Sequence, residues 1–484
     1  MRTTLWCAIA LAAAAAVAAA DESTLDFARF GTVRLYRGAG RPTAVALFVS
    51  GDGGWNLGVV DMARDLAGLG ALVIGIDITH YLERLAAAKE KCLYPAAEFE
   101  ELSQFVQKEL GLPVYTTPLL VGYSSGATLV YAVAVQAPVN TFRGAVSLGF
   151  CPDLPLDTPM CRGSGLEWSV GPKGKGVNFL PARSLPSPWV ALQGTIDQVC
   201  DPAQTEAFVG RIPGAEIVVL PKVGHGYSVP RNWMPQFREV FRRLTTEPAR
   251  PTPPPGGAAV AAASAEELPD TADLPLVELP AAKDGDVLAV FLSGDGGWAG
   301  IDRDVGGALV AAGVSVVGVD SLRYFWTART PEHTAADVAR VARRYLRLWQ
   351  RSRLLLAGYS RGADVLPFVV NRLPADVRAL VAEVALLGPG RTVEFEFHVG
   401  DWLSDRGAGL ATEPEVRRLG ELGFPVLCFS GEDEGDSLCR QLGAPFVTIT
   451  LPQGHHFGGR YDEIAARILA ALAREKPVTG APTP

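Results

Sequence analysis

Histidine is scarce in this sequence of 484 residues: there are six, and none falls in an HExxH pattern. The seven cysteines never form a CxxC. Without those spacings, and without a histidine-rich run, no metal site and no cofactor are expected. Basic residues are outnumbered, leaving a formal net charge of −8. Such a chain has no basic surface to release counterions, which excludes nucleic acid as a partner. Beyond residue 20 no apolar run is long and uninterrupted enough to span a bilayer. Hydrophobic residues nevertheless make up 48 % of the chain, so it is not a disordered one. At roughly 100–250 residues per domain, the length suits two or three domains, each able to bury a core.

The first twenty residues have the layout of an export signal. Arg2 supplies a basic start, Leu5 to Val17 an apolar centre, and Ala18-Ala19-Ala20 a small-residue cleavage site before Asp21. The expected location is the periplasm. Cys7 would leave with the signal. The remaining cysteines are then even in number in each half, which in an oxidising compartment favours disulfides. Cys428 and Cys439 can only pair with each other within the second half. Cys92, Cys151, Cys161 and Cys200 allow three connectivities.

The sequence also repeats itself. Ser50-Gly51-Asp52-Gly53-Gly54-Trp55 returns as Ser293-Gly294-Asp295-Gly296-Gly297-Trp298. A Gly-Tyr-Ser-x-Gly follows each copy, at Gly122 to Gly126 and at Gly358 to Gly362. A late Gly-His closes each half, at Gly224-His225 and Gly454-His455. Three motifs in one order, twice, mean a duplicated domain. Between the copies, residues 246–274 are rich in proline and alanine and form a linker. The expected domains are 24–245 and 275–476.

Within each half, short continuous apolar runs alternate with amphipathic stretches. Ala44 to Val49 and Val287 to Leu292 are strands buried on two faces. Helices are expected over Val59 to Leu69, Asp302 to Ala312 and Ala335 to Leu348. The pattern predicts two tandem α/β-hydrolase-like domains, each a mostly parallel sheet flanked by helices.

The chemistry-bearing residues follow from this frame. A serine that attacks a carbonyl needs its hydroxyl on a tight turn between strand and helix, with glycines two residues either side. Ser360 and Ser124 both have that setting. The base comes from a loop near the end of each half: His455, with His456 as the alternative, and His225. The acid follows a late strand. Asp197 fits in the first half. In the second, Asp436 is favoured by its spacing from Cys439, with Glu434, the ungapped equivalent of Asp197, and Asp433 in reserve. Oxyanion donors are expected from the amides of Asp295 and Arg361, and of Asp52 and Ser125. Asp295, Asp364, Glu432, Asp433, Glu434 and Asp436 would either form an acidic rim that attracts a cation or pair with Arg323, Arg329 and Arg361.

Ser-Gly-Asp-Gly-Gly-Trp, the run Gly358-Tyr359-Ser360-Arg361-Gly362-Ala363-Asp364-Val365-Leu366-Pro367 and Gly454-His455-His456-Phe457 resemble the VirJ/AcvB family of α/β-hydrolase-like bacterial virulence proteins. The resemblance is close in the second half, and the two-domain layout is similar to the AcvB type. It implies a periplasmic hydrolase of lysyl-phosphatidylglycerol, an aminoacylated phospholipid at the membrane surface, with the nucleophile on Ser360. It places the acid within Gly431 to Cys439 and the base within Gly454 to Phe457. It also implies an association with type IV secretion components. Two other readings stand beside it: a periplasmic binding or chaperone protein, and a general esterase or thioesterase.

Overall fold

The computed structural model describes residues 21–171, 174–246, 268–282, 285–398, 409–435 and 437–474. The signal of residues 1–20, most of the linker and Asp436 lie outside the described residues.

The strands of the first half are β1 (Asp21–Phe27), β2 (Gly31–Arg37), β3 (Ala44–Val49), β4 (Ala71–Ile76), β5 (Leu119–Tyr123), β6 (Gly144–Leu148), β7 (Asp153–Leu154), β8 (Trp168–Val170), β9 (Val177–Phe179), β10 (Trp189–Gly194) and β11 (Glu216–Leu220). The main sheet runs β1-β2-β4-β3-β5-β6-β10-β11, with β7, β9 and β8 in a small sheet of their own. From β4 to β11 all pairs are parallel, while β1–β2 and β2–β4 are antiparallel.

The second half carries β12 (Leu276–Leu279), β13 (Val287–Leu292), β14 (Ser315–Val319), β15 (Arg353–Tyr359), β16 (Val381–Leu387), β17 (Thr392–Val393), β18 (Leu410–Ala411), β19 (Val426–Gly431) and β20 (Val447–Leu451). Its sheet runs β12-β14-β13-β15-β16-β19-β20, parallel except for β12. Without the antiparallel edges, the two orders are the same. The duplication read from three motifs is therefore a duplication of the sheet.

Apolar composition explains which strands are central. Every residue of β3, β4, β13 and β19 is buried, as expected of strands covered on both faces. The helix Ser125–Gln136 follows β5 and is buried from Gly126 to its end. A helix apolar all round belongs in the interior. The helix Arg361–Arg372 holds the same place after β15.

The chain does not divide at one point. Among the described residues, contacts group 21–95, 118–136 and 143–246 into one unit, and 96–117, 137–142 and 268–474 into another. Two stretches from within the expected domain 24–245 thus count with the second unit. Part of the reason is an aromatic cluster in which Tyr115 packs with Leu322, Trp326 and Phe397.

Candidate active sites

Each nucleophile sits at the C-terminal end of a central strand. Ser124 follows β5 with φ +56°, and Ser360 follows β15 with φ +52°. Non-glycine residues rarely adopt this region, and the strain is held by the packing around it. The flanking glycines have no alternative. A Cβ on Gly122 would lie 2.1 Å from the Gly126 carbonyl oxygen, and one on Gly126 would lie 2.3 Å from that of Ser50. Gly358 and Gly362 are as crowded, at 2.4 and 2.1 Å.

In the first unit the candidate serine, histidine and aspartate are joined by hydrogen bonds. His225 Nε2 lies 2.9 Å from Ser124 Oγ, and His225 Nδ1 lies 2.9 Å from Asp197 Oδ2. Asp197 is buried and heavily donated to: the amides of Val199 and Cys200 reach Oδ1, both at 2.9 Å, and Gln193 Nε2 reaches Oδ2 at 3.2 Å. These donors satisfy the buried carboxylate and hold it aimed at the imidazole. The histidine loop is braced from below, because the Tyr123 hydroxyl donates to the His225 carbonyl at 2.8 Å.

The second unit assembles the same parts differently. Glu434 Oε1, not Asp433, meets His455 Nδ1 at 2.6 Å, and Glu434 Oε2 accepts from the Gly431 amide at 2.7 Å. Burial alone would raise the Glu434 pKa, but these bonds outweigh it and hold the carboxyl below its usual range. The ungapped equivalent of Asp197 is therefore the residue on the imidazole. A glutamate reaches it with one more methylene. His455, not His456, takes the base position; exposed His456 bonds through Nδ1 with the Tyr359 hydroxyl at 3.2 Å. Among the described residues, no hydrogen bond joins Ser360 to His455.

The aspartate of the repeated Ser-Gly-Asp-Gly-Gly-Trp has a role that the sequence left open. Asp52 Oδ1 accepts from the Ser125 hydroxyl at 2.5 Å, and Asp295 accepts from Arg361 Nε. Each pair ties the loop after the first parallel strand to the residue after the nucleophile. Those two residues carry the expected oxyanion amides. Arg361 is buried and also donates to the carbonyls of Glu394 and Glu396, at 2.8 and 3.0 Å. Of the acidic residues expected either to form a rim or to pair with arginines, Asp295 pairs with Arg361 and Glu434 bonds to His455, while Glu432 and Asp433 remain exposed. Arg329 instead stacks on Tyr324, and Arg323 pairs with Asp320.

One pair of supporting residues escaped the sequence reading. Asp77 accepts from the Trp55 amide at 3.1 Å and caps the helix after β4 through Thr79. Asp320 takes the same place against Trp298. The signal was present as a second repeat, Gly75-Ile76-Asp77 and Gly318-Val319-Asp320. The glycines of that repeat are where the two indoles lie, since a Cβ there would be 2.3 and 2.4 Å from Trp55 and Trp298.

All six cysteines after residue 20 are paired: Cys92–Cys161, Cys151–Cys200 and Cys428–Cys439. Asp197, Cys200 and His225 cluster within ligand distance of one another, but the Cys200 sulfur is in a disulfide and offers no thiolate.

Parallel sheets of this order, with a serine on a strained strand–helix turn and a histidine–carboxylate pair beyond the later strands, define the α/β-hydrolase fold. Within it, residues 286–476 match the family described as bacterial virulence protein (VirJ). No curated protein matches the chain. Among solved structures, the esterase domain of a Rhodothermus marinus protein is 18% identical, with 46% of this chain and 98% of that one covered, at a TM-score of 0.32. A thermophilic esterase from Thermogutta terrifontis is 18% identical, covering 47% and 100%, with a TM-score of 0.32. A dienelactone hydrolase from Anabaena variabilis is 15% identical, covering 46% and 97%, with a TM-score of 0.34. At scores this low the fold assignment rests on the strand order itself.

Proposed function

We propose that this chain is a serine hydrolase of carboxylic esters and that Ser124 is its working nucleophile. The observation that carries the proposal is the unbroken path Ser124 Oγ–His225–Asp197, two hydrogen bonds of 2.9 Å each. His225 Nε2 takes the Ser124 proton as the oxygen attacks the ester carbonyl. The amides of Asp52 and Ser125 hold the oxyanion. The alcohol leaves with the proton from His225, and water then cleaves the acyl-enzyme by the same route. Asp197 orients the imidazole and stabilises its charged form.

The substrate we propose is the lysyl ester of lysyl-phosphatidylglycerol in the periplasm, releasing lysine and phosphatidylglycerol. The resemblance carried by the motifs that the first half shares, Ser50 to Trp55, Gly122 to Gly126 and Gly224-His225, and the export-type N-terminus support this choice. The second unit is favoured as a binding module, in the secretion-linked sense, because no hydrogen bond joins Ser360 to His455.

The test is turnover of lysyl-phosphatidylglycerol by the full chain. Ser124→Ala should lower kcat about 1,000-fold or more, and Ser360→Ala should leave it within about threefold. The reverse pattern would move the activity to Ser360. Equal turnover in all three forms would refute a serine mechanism. Equal rates on lysyl and acetyl esters of one alcohol would leave a general esterase.

A further inference from the structure

In the first unit a carboxylate stands where the proposed reaction builds up negative charge. The amides of Asp52 and Ser125 are the proposed oxyanion donors, and the side chains of the same two residues are bonded, Ser125 Oγ to Asp52 Oδ1 at 2.5 Å. The Asp52 loop lies directly against the nucleophile: a Cβ on Gly51 would be 3.0 Å from that of Ser124. The charge reaches the site as well. Burial first, then Asp197 and Asp52, push the neighbouring Tyr123 hydroxyl above its ordinary pKa. Like charges repel, so an unpaired carboxylate at this place opposes attack on a neutral ester.

The duplicated unit answers the same charge with a cation of its own. Asp295, the counterpart of Asp52, pairs with the guanidinium of Arg361, which follows Ser360 as Ser125 follows Ser124. In the first unit that next residue is a serine, which offers a hydrogen bond and no charge. Asp52 is exposed, and among the described residues it has no ion pair. The position that a cation fills in one copy is therefore open in the other.

We propose that the Asp52 carboxylate is the subsite for an α-ammonium group, so that Ser124 prefers esters of amino acids. An α-ammonium sits on the carbon next to the scissile carbonyl, within a residue's reach of the oxyanion amides. A side-chain cation lies several bonds further out. Bound at Asp52, the α-ammonium does what Arg361 does for Asp295, and an opposing charge becomes an attractive one. A neutral acyl group leaves the carboxylate unanswered beside the oxyanion, so one side chain both attracts the right ester and disfavours the wrong one. The second unit, with Arg361 already on its aspartate, has no such subsite. The inference rests on Ser124 being the working nucleophile.

The experiment measures kcat/KM of the full chain on the alanyl and isobutyryl esters of one alcohol, which differ by an ammonium against a methyl group of similar size. Asp52→Asn still accepts from the Ser125 hydroxyl but carries no charge, and it should cut the alanyl-to-isobutyryl ratio about tenfold. Any effect of the change on the shared oxyanion amides cancels in that ratio. In wild type the ratio should fall as pH rises through about 8, where an α-amino group loses its proton. In Asp52→Asn it should fall less steeply. Ser124-dependent turnover with the same ratio and the same pH profile in both forms overturns the subsite and leaves the nucleophile standing. Turnover that is absent in wild type, or that survives Ser124→Ala, overturns the Ser124 reading, and the subsite falls with it.

Discussion

Asp364 shows how one residue can separate two copies of the same turn. Four residues after the nucleophile, the first copy has Thr128, whose hydroxyl donates to the Cys151 carbonyl at 2.5 Å. The second copy has a carboxyl that accepts from the Gly390 amide. Burial pushes its pKa up to about 7, with nearby Asp295 adding to the rise and the Gly390 bond, Arg361 and His455 opposing it. Unfolded, it would titrate near the ordinary aspartate value of about 4. The folded state therefore binds the proton more tightly, and the stability this provides is lost as pH rises from about 4 through about 7. Asp364→Asn cannot ionise, so its melting temperature should gain on wild type between pH 4.5 and pH 8. Parallel profiles across that range would show that Asp364 ionises as it does in the unfolded chain.

At the level of elements, both acid loops are stapled, but to different places. Cys200 joins the loop of Asp197 to Cys151 beyond β6, and Cys439 joins the loop of Glu434 to Cys428 within β19. Cys200 also donates its amide to Asp197, so the first bridge and the relay share a residue. Replacing Cys151 and Cys200 by serine should lower both ester turnover and stability, the latter by about 2–4 kcal/mol. Replacing Cys428 and Cys439 should lower stability alone. Turnover and urea midpoints for the two double variants separate these outcomes, and unchanged turnover in the first would detach the bridge from catalysis.

The same loops mark where sequence reading succeeds and stops. β3 was legible because all its residues are apolar and buried, and the serine turns because their glycines admit no side chain. β1, Asp-Glu-Ser-Thr-Leu-Asp-Phe, was not: it is an edge strand, largely exposed, without an apolar run to signal it. Which described carboxylate of the acid loop meets His455 depended on the path of that loop, and it is Glu434. The pairing of Asp295 with Arg361 depended on two loops 66 residues apart coming together.

For the whole molecule, duplication supplied two nucleophile turns, of which one has its relay closed. A fluorophosphonate probe, which requires an activated serine, should therefore label the full chain once, on the peptide containing Ser124. Two labels per chain would mean that His455 also reaches Ser360 in solution, and none would mean that neither serine is activated. The bridges differ in span as well: 69 and 49 residues in the first half, against 11 in the second. The short bridge can close while the surrounding chain is still loose. The two long ones share four thiols and need distant segments to have met, so wrong partners compete with right ones. Maturation of the half with the closed relay is thus the more dependent on thiol exchange, and a cell poor in isomerase would accumulate chains with a sound second half and a scrambled first.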